Sequence, residues 1–278
     1  MEKINLHTHC NFCDGKNTAE EMVLSAIQKG FTLLGFSSHS MLPYTSDWHI
    51  PVEKHEDYVK TIHSLKEKYK DKIEILCGFE VDYIPGQSMP EKSHFLPLVP
   101  DYIIGSVHYT SSVEAGYTVD DSTENVKKGL EEIYKNKGKE LVCQYFDLQR
   151  QMIRKGDFEI WGHADLIRKR NGILKFFNEE DSWYKNELKE TVKVAAKKGL
   201  VAEINTGAIA RKAMDDVYPS KYFLELMYQE KIPVCVNSDS HDISSIDCAF
   251  DRAYTIARNA GYTELIYPTA HKIYTVKL

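Results

Sequence analysis

Short apolar runs alternate along the chain with polar clusters and then with amphipathic stretches, which is the pattern of repeated β/α units. Seven such runs read as strands, at residues 4–6, 33–36, 73–79, 102–107, 159–161, 201–204 and 233–236. Between them lie helical stretches. The clearest spans residues 18–30, opened by Thr18 with Glu21 three positions on as a capping box and closed by Gly30. Others cover 55–70, 122–155 with a break near Gly138, 183–198, 220–230 and 247–260. Pro85, Gly86, Pro90, Pro97 and Pro100 make 85–100 an irregular excursion too short for a domain of its own. With no linker, repeat or low-complexity tract, residues 1–278 read as one domain.

Composition narrows the class. A chain of 278 residues that is 42% hydrophobic and 27% charged can bury a substantial core without staples. No apolar run approaches the roughly 18 to 20 residues of a membrane span, and the first residues lead into His7-Thr8-His9 without a signal-peptide core. A cytoplasmic protein without a membrane partner is the expectation. Acids outnumber bases 41 to 35, with no long basic run, which speaks against nucleic acid as a partner. The six cysteines are scattered and read as reduced thiols, and Cys10-x-x-Cys13 lacks the second pair that a structural zinc site needs.

The chemistry lies where the strands end. His7 and His9 follow the first strand, with Asp14 close behind; His39 follows the second, Glu80 ends the third and His108 the fourth. His163 follows the fifth strand, and Asp239 and His241 follow the seventh. Only the sixth lacks such a residue. In a parallel barrel all carboxyl ends face one side, so these nine donors converge although they span most of the chain. Nine exceed the needs of one ion, and imidazole with carboxylate suits zinc, iron or manganese. His7-x-His9 and Asp239-x-His241 have the spacing that puts both side chains on one face of an extended segment. The other histidines, His49, His55, His63, His94 and His271, read as loop or helix-surface residues.

The ordered set His7-x-His9, Asp14-Gly15, His39, Glu80, His108, Gly162-His163 and Ser238-Asp239-x-His241 resembles the polymerase and histidinol phosphatase (PHP) family over nearly the whole chain. Phe12-Cys13-Asp14-Gly15-Lys16, residues 35–40, residues 104–108 and residues 203–207 resemble its histidinol-phosphatase branch. The resemblance implies an α/β fold, a distorted (β/α)7 barrel of PHP type, and a centre of three divalent ions. Matched motif by motif, it implies His7, His9, Glu80 and Asp239 at the first ion, Glu80 with His108 and His163 at the second, and Asp14, His39 and His241 at the third. Some members carry a histidine one position after Asp14, where this chain has Gly15. The activity it implies is hydrolysis of L-histidinol phosphate in histidine biosynthesis, with a small phosphate ester as the only partner.

Charge fits that activity. Three divalent cations against Asp14, Glu80 and Asp239 leave a centre of about +3, which attracts a phosphate dianion. The expected nucleophile is a metal-bridging hydroxide attacking phosphorus in line, with Asp239 in a second role moving a proton. Arg168, five residues after His163, and Arg211, after the sixth strand, are the expected phosphate contacts and catalytic cations, with Arg170 in reserve for Arg168. The loops 43–52 and 109–121 follow metal-bearing strands and stand where a lid could form. Rival readings are a PHP phosphoesterase for a nucleotide or other small ester, an amidohydrolase on a similar barrel, and a metal-binding module without catalysis.

Overall fold

All seven apolar runs become strands in the computed structural model, which describes residues 2–110 and 117–278. The first half runs β1 (Lys3–Asn5), α1 (Ala19–Gln28), β2 (Phe31–Phe36), β3 (His39–Ser40), α2 (His55–Tyr69), β4 (Glu74–Asp82) and β5 (Tyr102–Ser106). Then follow α3 (Thr123–Glu132), α4 (Gly138–Lys155), β6 (Ile160–Trp161), α5 (Asn171–Leu174), α6 (Ser182–Lys198) and β7 (Val201–Asn205). The chain finishes with α7 (Gly207–Ala210), α8 (Lys221–Gln229), β8 (Val234–Asn237), α9 (Phe250–Ala260), β9 (Glu264–Pro268) and β10 (Ile273–Lys277).

Strand order is β1-β2-β4-β5-β6-β7-β8, with every neighbouring pair parallel. The strands are buried almost throughout, as expected when helices cover the outer face of a parallel sheet. Side chains and a single bridge, in place of a regular ladder, close the barrel between β8 and β1. Asn5 Nδ2 donates to Ser238 Oγ at 2.7 Å, Leu6 N donates to Asn237 Oδ1 at 2.8 Å, and Thr8 bridges Ser240 in parallel.

Local chemistry explains the element ends. At α1 the capping box forms in both directions, with Glu21 N donating to Thr18 Oγ1 at 3.2 Å and Thr18 N donating to Glu21 Oε2 at 2.8 Å. Met22, Val23 and Ala26 then turn inward on one stripe. Inside the barrel, buried Tyr102 donates to the Leu6 carbonyl at 2.6 Å, and a Cβ at Gly78 would lie 2.6 Å from its Cζ, so that position must stay glycine. Beneath the site this ring anchors the floor.

Some elements depart from expectation. The two-residue β3 pairs with β4, placing His39 opposite Glu80, and is too short to show a period. The antiparallel pair β9–β10 was not foreseen, although Leu265-Ile266-Tyr267 is a short apolar run; β10 buries only Val276. Helix α9 starts at Phe250 instead of 247, preceded by Ala249 in a left-handed conformation, φ 57°, with no side-chain cap. All six cysteines are free, and among the described residues no helix is long and apolar enough to cross a membrane.

Candidate metal centre

The nine expected donors come together at the carboxyl ends of the strands. Ligand atoms of His9, Asp14, His39 and His241 form one group close enough to share a cation, those of His7, His9 and Asp239 a second, and those of His39, Glu80 and His108 a third. His163 joins through Glu80, its Nε2 standing 2.8 Å from Oε1. Strand alternation accounts for His7 and His9, and the β3–β4 register for His39 and Glu80. Asp239 adopts a left-handed backbone conformation, φ 52°, which aims its carboxylate back into the group. A Cβ at Gly15 would lie 2.6 Å from the backbone of Cys10, so this chain has no room for a histidine there, and the Asp14 carboxylate is the group that lies beside His39 and His241.

The partition differs in detail from the motif-based one. His39 lies within reach of both Glu80 and Asp14, with Nδ1 at 2.9 Å and Nε2 at 3.8 Å respectively. His9 likewise belongs to two groups, 3.3 Å from Asp239 and stacked on His241 at 4.0 Å between ring centroids.

These residues fit cations. Among the described residues the buried atoms His7 Nε2, His9 Nε2, His39 Nδ1 and Glu80 Oε2 have no hydrogen-bond partner, and they point at one another. Such a set of orphaned donor atoms is costly unless an ion satisfies it. Burial pushes the Glu80 carboxyl up, but His7, His39 and His108 outweigh it and hold it well below the carboxylate range. Asp239 is likewise pushed up by burial and drawn well down by Arg211 and His7. His9 is held well below the usual imidazole range by burial and by His241 and His39. His108, disfavoured by burial, is drawn up to about 10 by Asp82 and Glu80. Ionised carboxylates and a neutral His9 are the states that ligate, and an ion displaces the protons of the remaining histidines.

A cavity of about 740 Å³ opens onto the cluster, walled by Trp48, Tyr109, Asp120 and Arg211 among others. Arg211, following α7, donates from Nη2 to Asp239 Oδ2 at 2.7 Å and from Nη1 to the Asp239 carbonyl at 2.9 Å. Gly207 makes that approach possible, since a Cβ there would stand 2.6 Å from Arg211 Nη2. Arg168 lies elsewhere. It is buried against Glu179 and Asp216 at 2.8 Å each and against the Val217 carbonyl at 3.2 Å, away from the cavity lining. The guanidinium is consumed by loop carboxylates that the spacing from His163 could not reveal. Arg170 donates to the Asp121 carbonyl at 2.8 Å and is not in the lining either. Of the two loops expected near a lid, 43–52 does line the cavity through Ser46, Asp47 and Trp48, whereas residues 111–116 of the other lie outside the described residues.

Three supporting residues escaped the sequence reading. Glu203, on the sixth strand of the barrel, accepts from His7 Nδ1 at 2.9 Å and from the His163 amide at 2.7 Å. Asp82 and His49 flank His108 from the other side, and His49 and His55 are both buried, not at the surface. The signals available were the two-residue spacing of Asp82 from Glu80 on β4 and the place of Glu203 at the head of the 203–207 motif.

The sequence profile of the PHP domain matches residues 5–207. A Schizosaccharomyces pombe protein assigned as a histidinol-phosphatase is 29% identical, covering 94% of this chain and 88% of its own. Among solved structures, one from Listeria monocytogenes assigned to the histidinol phosphatases aligns with a TM-score of 0.77 at 22% identity, over 90% of this chain and 99% of its own. Another, histidinol phosphate phosphatase from Lactococcus lactis in complex with zinc, L-histidinol and phosphate, aligns at 0.71 and 19% identity over 98% and 99% of the two chains. The fold is that of the PHP-type barrel.

Proposed function

This chain belongs to the PHP domain family, and from that premise we propose that it hydrolyses L-histidinol phosphate to L-histidinol and inorganic phosphate, a cytoplasmic step of histidine biosynthesis. The observation that carries the proposal is the convergence of nine cation donors and Arg211 on one cavity. The names of the relatives support the substrate.

In this reading His7, His9, Glu80 and Asp239 hold one divalent ion, Glu80, His108 and His163 a second, and Asp14, His39 and His241 a third, with zinc, iron and manganese all suited to the donors. Ions held there supply a water of lowered pKa and Lewis acidity toward the phosphoryl oxygens. Arg211 binds the phosphate with the N–H groups that Asp239 leaves free. Asp239, its Oδ2 held by Arg211, is the carboxylate placed to pass a proton from the attacking water to the departing alkoxide. Asp47 and Asp121 put carboxylates on the cavity wall, and Trp48 and Tyr109 put aromatic faces there, which suits the ammonium and imidazole of the substrate.

A substrate panel tests the proposal: phosphate release from L-histidinol phosphate, a nucleoside monophosphate and p-nitrophenyl phosphate at equal enzyme concentration. Preference for L-histidinol phosphate by about a hundredfold or more in kcat/KM is expected. Equal rates on all three, or a preferred nucleotide, overturn the substrate assignment.

A further inference from the structure

Asp82 ends β4 two residues after Glu80, so strand alternation sends both carboxylates into the same side of the barrel. It is fully buried, and its two oxygens serve two histidines. Oδ1 lies 2.8 Å from His108 Nδ1 and accepts from the His108 amide at 3.3 Å, while Oδ2 lies 2.8 Å from His49 Nε2. The chain of contacts continues, since His49 Nδ1 stands 2.7 Å from Ser46 Oγ.

This arrangement fixes two things at once. A proton on Nδ1 of His108, held by Asp82, leaves Nε2 as its coordinating atom, and Nε2 is the nitrogen facing Glu80, 3.6 Å from Oε1. A proton on Nε2 of His49, held by the same carboxylate, pins the loop between Met41 and Ile50. Residues 43–45 of that loop are exposed, yet Asp47 and Trp48 must face the cavity. Trp48 packs on the His49 ring at 3.8 Å between centroids and meets the rings of His39 and His108 edge-on at 4.7 and 5.3 Å.

We infer that Asp82 is a positioning residue that orients His108 toward its cation and, through His49, holds the loop carrying Asp47 and Trp48 against the substrate. The inference rests on the metal-dependent reading above. It separates two consequences: loss of Asp82 loosens the cation, whereas loss of His49 loosens the substrate wall.

The test uses the whole chain, depleted of metal and titrated with zinc against a chromophoric chelator, for the parent, Asp82→Asn and His49→Gln, each first shown to be folded by circular dichroism. Asp82→Asn is expected to bind its weakest zinc about 10- to 100-fold less tightly than the parent. His49→Gln is expected to keep zinc affinity within about threefold while raising KM for L-histidinol phosphate about fivefold with little change in kcat. Folded Asp82→Asn with parental zinc affinity, or His49→Gln with parental KM, overturns the inference. If Asp82→Asn does not fold, the KM of His49→Gln decides. A parent that takes up no zinc, iron or manganese overturns the metal-dependent reading together with this one, while a zinc-binding parent with an unaffected Asp82→Asn overturns this one alone.

Discussion

Replacing Arg211 by alanine distinguishes phosphate binding from metal binding. Its side chain is 30% exposed, and Asp239 engages two of its five N–H donors. The remaining donors are available to a phosphate. One charge-assisted hydrogen bond in such a partly shielded site contributes about 2 kcal/mol, which is about thirtyfold in kcat/KM. Arg211→Lys keeps the charge without the planar fork and is expected to lose about fivefold. Asp239 loses a partner in Arg211→Ala, at a cost of about 1–2 kcal/mol and a Tm lower by about 5 °C in a chain of this size. The assay measures kcat, KM, inhibition by inorganic phosphate and metal per chain on the same samples. The expected result is a raised KM and weakened phosphate inhibition with unchanged metal content. Parental KM and parental phosphate inhibition would refute the assignment, and loss of metal would reassign Arg211 to holding Asp239.

Glu80→Gln removes the charge that His7, His39 and His163 surround without opening a cavity, so the chain should fold while turnover falls more than about a hundredfold, checked by melting curves and phosphate release. Chelation of metal should lower Tm by roughly 5–10 °C at free-metal levels near 100 times Kd, restored on adding metal back. Far from the site, burial pushes Asp247 up and Lys29 at 2.6 Å with Lys3 at 3.4 Å more than offset it, so its folded pKa lies below the unfolded one. That stabilisation is present at neutral pH and lost as pH falls through the carboxylate range. Asp247→Asn is therefore expected to be about 1 kcal/mol less stable than the parent at pH 7, with the difference vanishing near pH 2, measured by urea unfolding at both pH values.

The seven barrel strands were legible because parallel strands buried on both faces read as continuous apolar runs, and their order along the chain brings their carboxyl ends to one side. The donors were legible for the same reason, since a histidine or carboxylate directly after such a run has one place to go. Residues that act through other residues were not. Glu203 and Asp82 look like ordinary acids in apolar strands until the fold puts His7 and His108 beside them, and His49 lies in a loop whose buried position depends on Asp82. Arg168 shows the converse failure: proximity in sequence to His163 suggested phosphate, but Glu179, 11 residues on, and Asp216, 48 residues on, occupy it. The pair β9–β10 was overlooked: β9 carries the short apolar run Leu265-Ile266-Tyr267, but its partner β10 buries only Val276 and gives little signal.

The central claim is that the nine converging donors form a metal centre that hydrolyses a phosphate ester. Its most direct test is to strip the protein of metal, return zinc, manganese or iron in measured steps, and follow ions bound per chain alongside phosphate released from L-histidinol phosphate. The account predicts no turnover in the stripped protein and activity that climbs with occupancy to a plateau at about three ions per chain. Full activity in metal-free protein, or saturating metal without phosphate release, would contradict it.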